Sequence, residues 1–234
     1  MGECIGPVAE NVRRVLGQIE EAARRAGRDP ATVQLVAVTK TVPVERIRQA
    51  YDAGLRRFGE NYVQQALEKV DRLPRDAQWH MIGHLQSNKA KRAVEVFSLI
   101  HSLDRPSLAD ALEKAARARG QRLEVLLQVN VGEEPTKFGT SPEGAVELAR
   151  RAGQWPSLRI RGLMAIPPYR EDPEEVRPYF RALRELAGRL RAMDLPGVAM
   201  DELSMGMSHD FPVAVEEGAT LVRVGSALFG ARPG

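Results

Sequence analysis

The sequence predicts an α/β protein that folds as one (β/α)₈ barrel of the TIM type, with an extra helix at its N terminus. Apolar, β-prone runs alternate with helical patterns from about residue 33 to the end of the chain. Eight such runs occur, at intervals of about 20 to 40 residues. Eight successive strand and helix units are the pattern of a (β/α)₈ barrel. A doubly wound open sheet is the structural alternative.

The first helix precedes the repeating pattern, covers about residues 8–26 and is amphipathic. Strands are predicted at 33–39, 56–59, 78–83, 98–103, 123–131, 158–166, 199–205 and 220–225. Helices are predicted between them at 43–54, 61–72, 86–95, 106–119, 141–152, 173–193 and 209–217. Several open with proline or with an acidic residue in the first turn, which helix starts favour. No composition break or linker divides residues 1–234, so a single domain is expected.

Composition and cysteine content indicate a globular protein without a membrane span, a disulfide or a metal site. Of the 234 residues, 43% are hydrophobic and 28% are charged, which is typical of a globular protein with a large core. No apolar run approaches the roughly 20 residues that span a bilayer, and the N terminus lacks the order of a secretory signal. A cytoplasmic protein without a membrane partner is therefore expected. Cys4 is the single cysteine, and no cysteine and histidine cluster has metal-site spacing, so neither a disulfide nor a metal is expected.

The charge pattern argues against a nucleic-acid partner. The net charge is +3, and the basic residues are scattered in pairs such as Arg24-Arg25 and Arg56-Arg57. Such pairs are typical of solvated helix faces rather than of a stripe that follows a phosphate backbone. Aromatic residues, at 5%, offer little stacking surface for bases.

A lysine follows the first predicted strand at the place where barrels hold their active sites. Lys40 ends the run LVAVTK, and lysine is scarce in this chain, at six residues. The carboxyl ends of barrel strands form the functional mouth. Desolvation in an apolar mouth favours the neutral, nucleophilic amine, which can form a Schiff base with an aldehyde. The alternatives are a surface lysine at the barrel rim or an ion pair with Glu60 or Asp104.

Small residues follow the last two strands and predict a phosphate site. Gly206 and Ser208 lie in the loop SMGMSHD, and Gly225 and Ser226 lie in VGSALFG. Glycine and serine let backbone N–H groups approach an anion, and barrels often hold phosphate after strands seven and eight. The alternative is that the glycines only allow tight turns. An amine and a phosphate cradle across one mouth suit pyridoxal 5'-phosphate (PLP) or a phosphorylated sugar aldehyde or ketone.

Arg223 helps to choose between these ligands. The alternation in TLVRVG places Val222 and Val224 towards the helices and Arg223 inside the barrel. A buried arginine needs an acceptor, and a pyridine nitrogen is one. A protonated arginine there keeps that nitrogen unprotonated and weakens the ring as an electron sink. The alternative is an ion pair between Arg223 and Asp201 or Glu202.

Eight motifs, in this order, resemble the pyridoxal phosphate homeostasis proteins: AVTKTVP, RFGENYVQ, WHMIGHLQSNK, HSLDR, VLLQVNVGEEPTKFG, IRGLMAIPP, LSMGMSHDF and RVGSALFG. The resemblance runs from about residue 35 to residue 232 and implies a fold similar to the barrel domain of alanine racemases. It implies a set of cofactor-binding residues for PLP: Lys40 as the Schiff-base lysine, Ser208, Gly225 and Ser226 on the phosphate, Arg223 at the pyridine nitrogen, and Asn61 with Met164-Ala165 at the other edges of the ring. His84 and Asn88 fit a loop over the mouth.

The resemblance also implies a function: binding PLP as a lysine Schiff base in intracellular PLP homeostasis, without established catalytic turnover. Possible partners are the apo-forms of PLP-dependent enzymes, and a monomer is expected. A racemase needs a second acid or base, usually from a further domain, and the chain reaches Gly234 shortly after strand eight. A small PLP-dependent racemase or decarboxylase is the alternative. A Schiff-base aldolase for a sugar phosphate is a third hypothesis.

Overall fold

Eight parallel strands close into a barrel in which each strand pairs with its neighbours in chain order and β8 returns to β1. The computed structural model describes residues 7–134 and 136–230. The strands are Gln34–Val38 (β1), Arg57–Glu60 (β2), Gln78–Met81 (β3), Leu99–Leu103 (β4), Leu123–Val129 (β5), Leu158–Ala165 (β6), Val198–Ser204 (β7) and Leu221–Val224 (β8). The prediction of a (β/α)₈ barrel is confirmed, and the open-sheet alternative is wrong.

Helices surround the barrel, and several differ from the prediction at their ends. They are Pro7–Arg25 (α1), Val44–Asp52 (α2), Val63–Leu67 (α3), Ala90–Val96 (α4), Pro106–Ala118 (α5), Pro142–Arg150 (α6), Arg177–Ala192 (α7), Phe211–Glu216 (α8) and Ser226–Phe229 (α9). Three predicted helices are partly 3₁₀, with 3₁₀ turns at Val70–Arg72, Ser87–Lys89 and Pro173–Val176. The helix α9 was not predicted, because four residues are too few to show a helical period.

The strand side chains alternate between two apolar layers. Inside the barrel a buried cluster is drawn from five strands: Val36, Leu99, Leu126, Met164 and Leu221. The larger cluster, between barrel and helices, contains Val222 and Val224. Residues paired in register on neighbouring strands face the same side. Arg223 pairs with Val36, so Arg223 faces the interior, as its strand alternation predicts.

The N-terminal helix α1 packs along the outside of the barrel against α2, α8 and α9. Its buried residues Val8, Val12, Val15 and Ile19 recur at the three- and four-residue spacing of one helix face. The side-chain amide of Asn11 on α1 donates a hydrogen bond of 3.0 Å to the carbonyl oxygen of Leu228 on α9. The segment that follows β8 is therefore fastened to the first helix of the chain.

Gly162 allows β6 and β7 to approach closely, and its replacement by alanine is expected to destabilise the barrel. A Cβ there would lie 1.8 Å from the carbonyl oxygen of Glu202, where the strand register shifts. We expect Gly162→Ala to lower the free energy of unfolding by about 3 kcal/mol in urea titrations. Gly188→Ala is the matched control: that glycine lies on α7 with nothing within 4 Å, so alanine should stabilise by about 0.5–1 kcal/mol. Equal stability of the two variants would contradict the clash.

The helices within residues 7–134 and 136–230 are all too short or too polar to cross a bilayer. Over the same residues, no group of three or more histidine, cysteine, aspartate and glutamate side chains is placed to hold a metal ion. The prediction that no disulfide forms rests on Cys4 as the single cysteine, and Cys4 lies outside the described residues.

Candidate functional site

A cavity of about 550 Å³ opens at the carboxyl ends of β1 and β8. Five of the eight cofactor-binding residues that the resemblance implies line it: Lys40, Ser208, Arg223, Gly225 and Ser226. These residues come from the loops after β1 and β7 and from β8 and the segment that follows it. The cavity therefore combines an amine, a guanidinium and a small-residue loop at one end of the barrel. This size is within the range of small-molecule sites.

Lys40 reaches the cavity from a turn two residues beyond the end of β1. Its side chain is half-buried, and its Nζ lies 5.5 Å from the centre of the Tyr62 ring. The next residue, Thr41, has a φ of 61°, in the left-handed region that β-branched residues disfavour. The Thr41 hydroxyl donates a hydrogen bond of 2.6 Å to the Lys40 carbonyl oxygen, which supports this conformation.

A buried ion pair supports the backbone just before Lys40. The Lys69 Nζ donates to the Glu60 Oε1 at 2.6 Å and to the Thr39 carbonyl oxygen at 2.9 Å. The Thr39 hydroxyl donates to the same Glu60 oxygen at 2.7 Å. Glu60 is fully buried, and its Oε2 has no hydrogen-bond partner among the described residues. Glu60 therefore pairs with Lys69 rather than with Lys40.

Arg223 is 3% exposed and is held by neutral groups. It donates to the Ser204 hydroxyl oxygen at 2.6 Å and to the Ala165 carbonyl oxygen at 2.9 Å. No carboxylate forms an ion pair with Arg223 within residues 7–134 and 136–230. Burial lowers the pKa of Arg223 to about 10, with a smaller opposing effect of the Asp210 charge. The guanidinium remains charged at neutral pH and lines the cavity, with the Asp210 charge nearby but no carboxylate of the described residues paired to it.

The loop after β7 and the segment after β8 are joined by one serine. The Ser208 hydroxyl oxygen accepts hydrogen bonds from the N–H groups of Gly225 at 3.1 Å and Ala227 at 3.3 Å. An oxygen acceptor thus fits at these donors, which is the arrangement that a phosphate oxygen requires. Gly206 has a φ of 89°, and a Cβ there would lie 2.5 Å from the Cβ of Ala214, so the loop requires glycine.

Asp210 holds the same loop in shape. Its Oδ1 accepts a hydrogen bond of 2.6 Å from the Met207 N–H, across the turn that contains Ser208. Burial raises the pKa of Asp210, and the Met207 hydrogen bond acts in the opposite direction. The loop is therefore fixed by a carboxylate on its own side of the cavity.

The other predicted residues lie outside this cavity. Asn61 and His84 line a larger neighbouring cavity of about 970 Å³ at the mouth. There the His84 ring stacks on Phe138 with ring centres 3.9 Å apart. Met164 is fully buried in the barrel interior, and Asn88 is exposed in the 3₁₀ turn before α4. Ala165 takes part through its carbonyl oxygen, which accepts from Arg223.

The ion-pair alternatives that the sequence left open for Lys40 and Arg223 are wrong. Asp104 pairs with Arg105 at 2.6 Å and lies 3.9 Å from His84, so it is not a partner of Lys40. Asp201 and Glu202 both lie within 4 Å of Arg161 instead of Arg223.

Sequence reasoning missed a set of buried polar residues beneath Arg223. Ser204, His101 and His80 form a hydrogen-bonded series inside the barrel. The signal was present: each histidine stands within an otherwise apolar strand, in QWHM and in LIHSL. A buried polar side chain in such a strand requires a partner.

Comparison with known proteins agrees with the geometry. Residues 11–233 match the family described as alanine racemase, N-terminal domain. The pyridoxal phosphate homeostasis protein of Aquifex aeolicus is 50% identical, over 95% of this chain and 97% of that protein. The structure of PipY from Synechococcus elongatus with PLP bound is 42% identical and superposes with a TM-score of 0.79, over 91% of this chain and 100% of PipY.

A structure from Bifidobacterium adolescentis, described as an unknown protein, has a TM-score of 0.92 at 35% identity, over 98% of this chain and 97% of that chain. The resemblance that the eight motifs indicated is thus confirmed along nearly the whole chain. The chain belongs to the family of pyridoxal phosphate homeostasis proteins.

Proposed function

We propose that this protein binds PLP in the cavity between β1 and β8 and takes part in intracellular PLP homeostasis. One observation carries the proposal: a lysine amine, a buried arginine that pairs with no carboxylate of the described residues and a small-residue loop line one cavity. These groups match three polar parts of PLP, which are the aldehyde, the pyridine nitrogen and the phosphate. A relative at 42% identity, PipY, has a structure with PLP bound, which supports the same ligand here.

Each residue has a distinct proposed role. PLP supplies the aldehyde: the Lys40 nitrogen forms a C=N bond with the aldehyde carbon, and the carbonyl oxygen leaves as water with the two amine hydrogens of neutral lysine. Ser208, Gly225 and Ser226 hold the phosphate through hydroxyl and N–H groups. Arg223 donates to the pyridine nitrogen. The role at the other edges of the ring that the resemblance implies for Asn61, Met164 and Ala165 rests on the resemblance alone, because none of the three lines this cavity.

The charge state of Arg223 weakens the ring as an electron sink and is compatible with a binding role. With a pKa near 10, Arg223 is a donor at neutral pH and keeps a facing pyridine nitrogen in its unprotonated form. An unprotonated ring withdraws electrons less strongly, so carbanion chemistry gains little. The curated relative described above is named a homeostasis protein and not an enzyme. We infer that the protein stores or delivers PLP in the cytoplasm, as a one-domain monomer that serves apo-forms of PLP-dependent enzymes.

The test is a PLP titration of the purified protein followed by borohydride reduction. We expect a visible absorption band that reduction removes, and an added mass that peptide mapping locates on Lys40. A protein that stays colourless with added PLP and gains no mass would refute the proposal. Solvent deuterium at Cα of L-amino acids, above the level that free PLP produces, would refute the non-enzymatic part alone.

A further inference from the structure

A series of polar side chains runs through the barrel interior and ends at Arg223. Arg223 on β8 donates to the Ser204 hydroxyl oxygen on β7 at 2.6 Å. The same oxygen lies 2.8 Å from the Nδ1 of His101 on β4. The Nε2 of His101 lies 3.1 Å from the Nδ1 of His80 on β3. Four strands therefore contribute to one continuous hydrogen-bonded path, which we call the Ser204–His101–His80 relay.

Both histidines of the relay are neutral. His101 is fully buried and His80 is 4% exposed. Burial lowers the pKa of His80 to about 3, with a smaller contribution from Arg57, and holds the pKa of His101 well below its usual range. A neutral imidazole carries one proton, so each ring has one donor nitrogen and one acceptor nitrogen.

Counting hydrogens fixes the direction of the relay. The Arg223 guanidinium has only donors, so the Ser204 oxygen must accept from it. Ser204 is fully buried, and within residues 7–134 and 136–230 its hydroxyl oxygen has only Arg223 and His101 as hydrogen-bond partners, in side chains and backbone alike. If His101 Nδ1 carried the proton, the Ser204 hydroxyl hydrogen would have no acceptor in that set, at a cost of about 1–3 kcal/mol.

In the opposite arrangement, every polar hydrogen in the series from Arg223 to His80 has an acceptor. The Ser204 hydroxyl donates to His101 Nδ1, and His101 Nε2–H donates to His80 Nδ1. Such a series polarises its members, so that an oxygen which donates its own hydrogen becomes a better acceptor. Ser204 thus binds Arg223 firmly without adding a negative charge. An aspartate in its place would neutralise the guanidinium.

We propose that His101 and Ser204 are positioning residues for Arg223: they orient its guanidinium through a neutral acceptor and leave its positive charge free for the ligand in the cavity. The inference rests on the proposed function, because it assigns that ligand contact to PLP. Neither His101 nor His80 lines the cavity, so both act through Arg223.

The first test uses the wild-type protein and needs no ligand. Side-chain ¹⁵N spectra of histidine-labelled protein report which ring nitrogen bears the proton. We expect His101 and His80 both as the Nε2–H tautomer, across neutral pH. An Nδ1–H tautomer at His101 would overturn the relay direction, whatever the protein does with PLP.

The second test measures PLP affinity and the spectrum of bound PLP in variants. We expect His101→Leu to weaken PLP binding about tenfold, the value of one charge-assisted hydrogen bond, and to shift the absorption maximum. His101→Asn returns an acceptor near the Nδ1 position and is expected to restore both. Leu126→Val, in the same interior without a polar atom, is the control for packing and should keep wild-type affinity. Wild-type affinity and spectrum in folded His101→Leu would overturn the proposal.

A double variant separates action through Ser204 from a general structural effect. If His101 acts through Ser204, the loss in Ser204→Ala/His101→Leu equals the loss in Ser204→Ala alone. Additive losses would overturn the proposal. If His101→Leu does not fold, Ser204→Ala and the wild-type tautomers still decide it. Failure of wild-type protein to bind PLP would instead refute the proposed function, and the tautomer measurement would stand.

Discussion

Replacing Lys40 with alanine is expected to abolish covalent capture of PLP completely. Among the described residues that line the cavity between β1 and β8, the Lys40 amine is the one group that can condense with an aldehyde, since the arginines there are poor nucleophiles. Ser208, Gly225 and Arg223 stay in place, so non-covalent binding of PLP is expected to persist at reduced affinity. The measurement is the visible band after PLP addition, followed by borohydride reduction and the mass of the intact protein. We expect no added mass on Lys40→Ala.

Lys89→Ala is the matched control for this prediction. Lys89 is exposed and lines the neighbouring cavity of about 970 Å³ rather than the one that holds Lys40. Its replacement should leave the band and the added mass as in the wild type. A specific adduct that persists in Lys40→Ala but disappears in Lys89→Ala would move the Schiff-base site to the larger cavity and contradict the assignment.

Lys69→Met is expected to cause the largest loss of stability among the variants described, about 3–5 kcal/mol in the free energy of unfolding. The change removes the cation and leaves the fully buried Glu60 carboxylate without its partner. It also removes the hydrogen bond to the Thr39 carbonyl oxygen, next to Lys40. Urea titration gives the loss in stability, and PLP titration shows whether the displaced turn weakens binding as well.

Two further variants define the cause of that loss. Arg72→Met breaks the exposed pair with Glu45, whose side chains are 59% and 71% exposed, and should cost less than about 1 kcal/mol. Lys69→Met combined with Glu60→Gln removes the uncompensated charge and should recover part of the stability. A loss in Lys69→Met no greater than in Arg72→Met would show that the buried pair contributes little.

Most of the eight strands could be predicted because they are apolar runs, although β2, with the sequence RFGE, is short and half charged. The helix ends could not, because a 3₁₀ turn such as Ser87–Lys89 runs directly into the helix that follows it, with no glycine or proline at the junction. The predicted strand 123–131 ends earlier, at Val129, because the next residue, Asn130, begins a turn in which its side chain bonds the backbone of Glu134. A side chain that bonds the nearby backbone in place of a strand partner does not change the alternation of apolar and polar residues, so the sequence pattern does not reveal it.

A cavity residue could be predicted when its side chain was unusual for its segment and the segment lay at the end of a strand. Lys40 and Arg223 are charged residues in apolar segments, and Gly225 with Ser226 follows a strand end, so each contradicts its local pattern. The pairing of Glu60 with Lys69 was not predicted, because Lys69 lies beyond α3, where a lysine resembles a solvated residue. The partners of a buried charge depend on how loops fold back, which one sequence does not specify.

The hydrogen bonds from the Gly225 and Ala227 N–H groups to Ser208 have a consequence for exchange of cargo. Uptake of a phosphate ester at these donors replaces one oxygen by another, so neither the loaded nor the unloaded protein exposes bare N–H groups. The binding equilibrium then depends on the difference in hydrogen-bond strength between the Ser208 oxygen and a phosphate oxygen, rather than on the full strength of either bond. The proposed binding of PLP would therefore remain reversible.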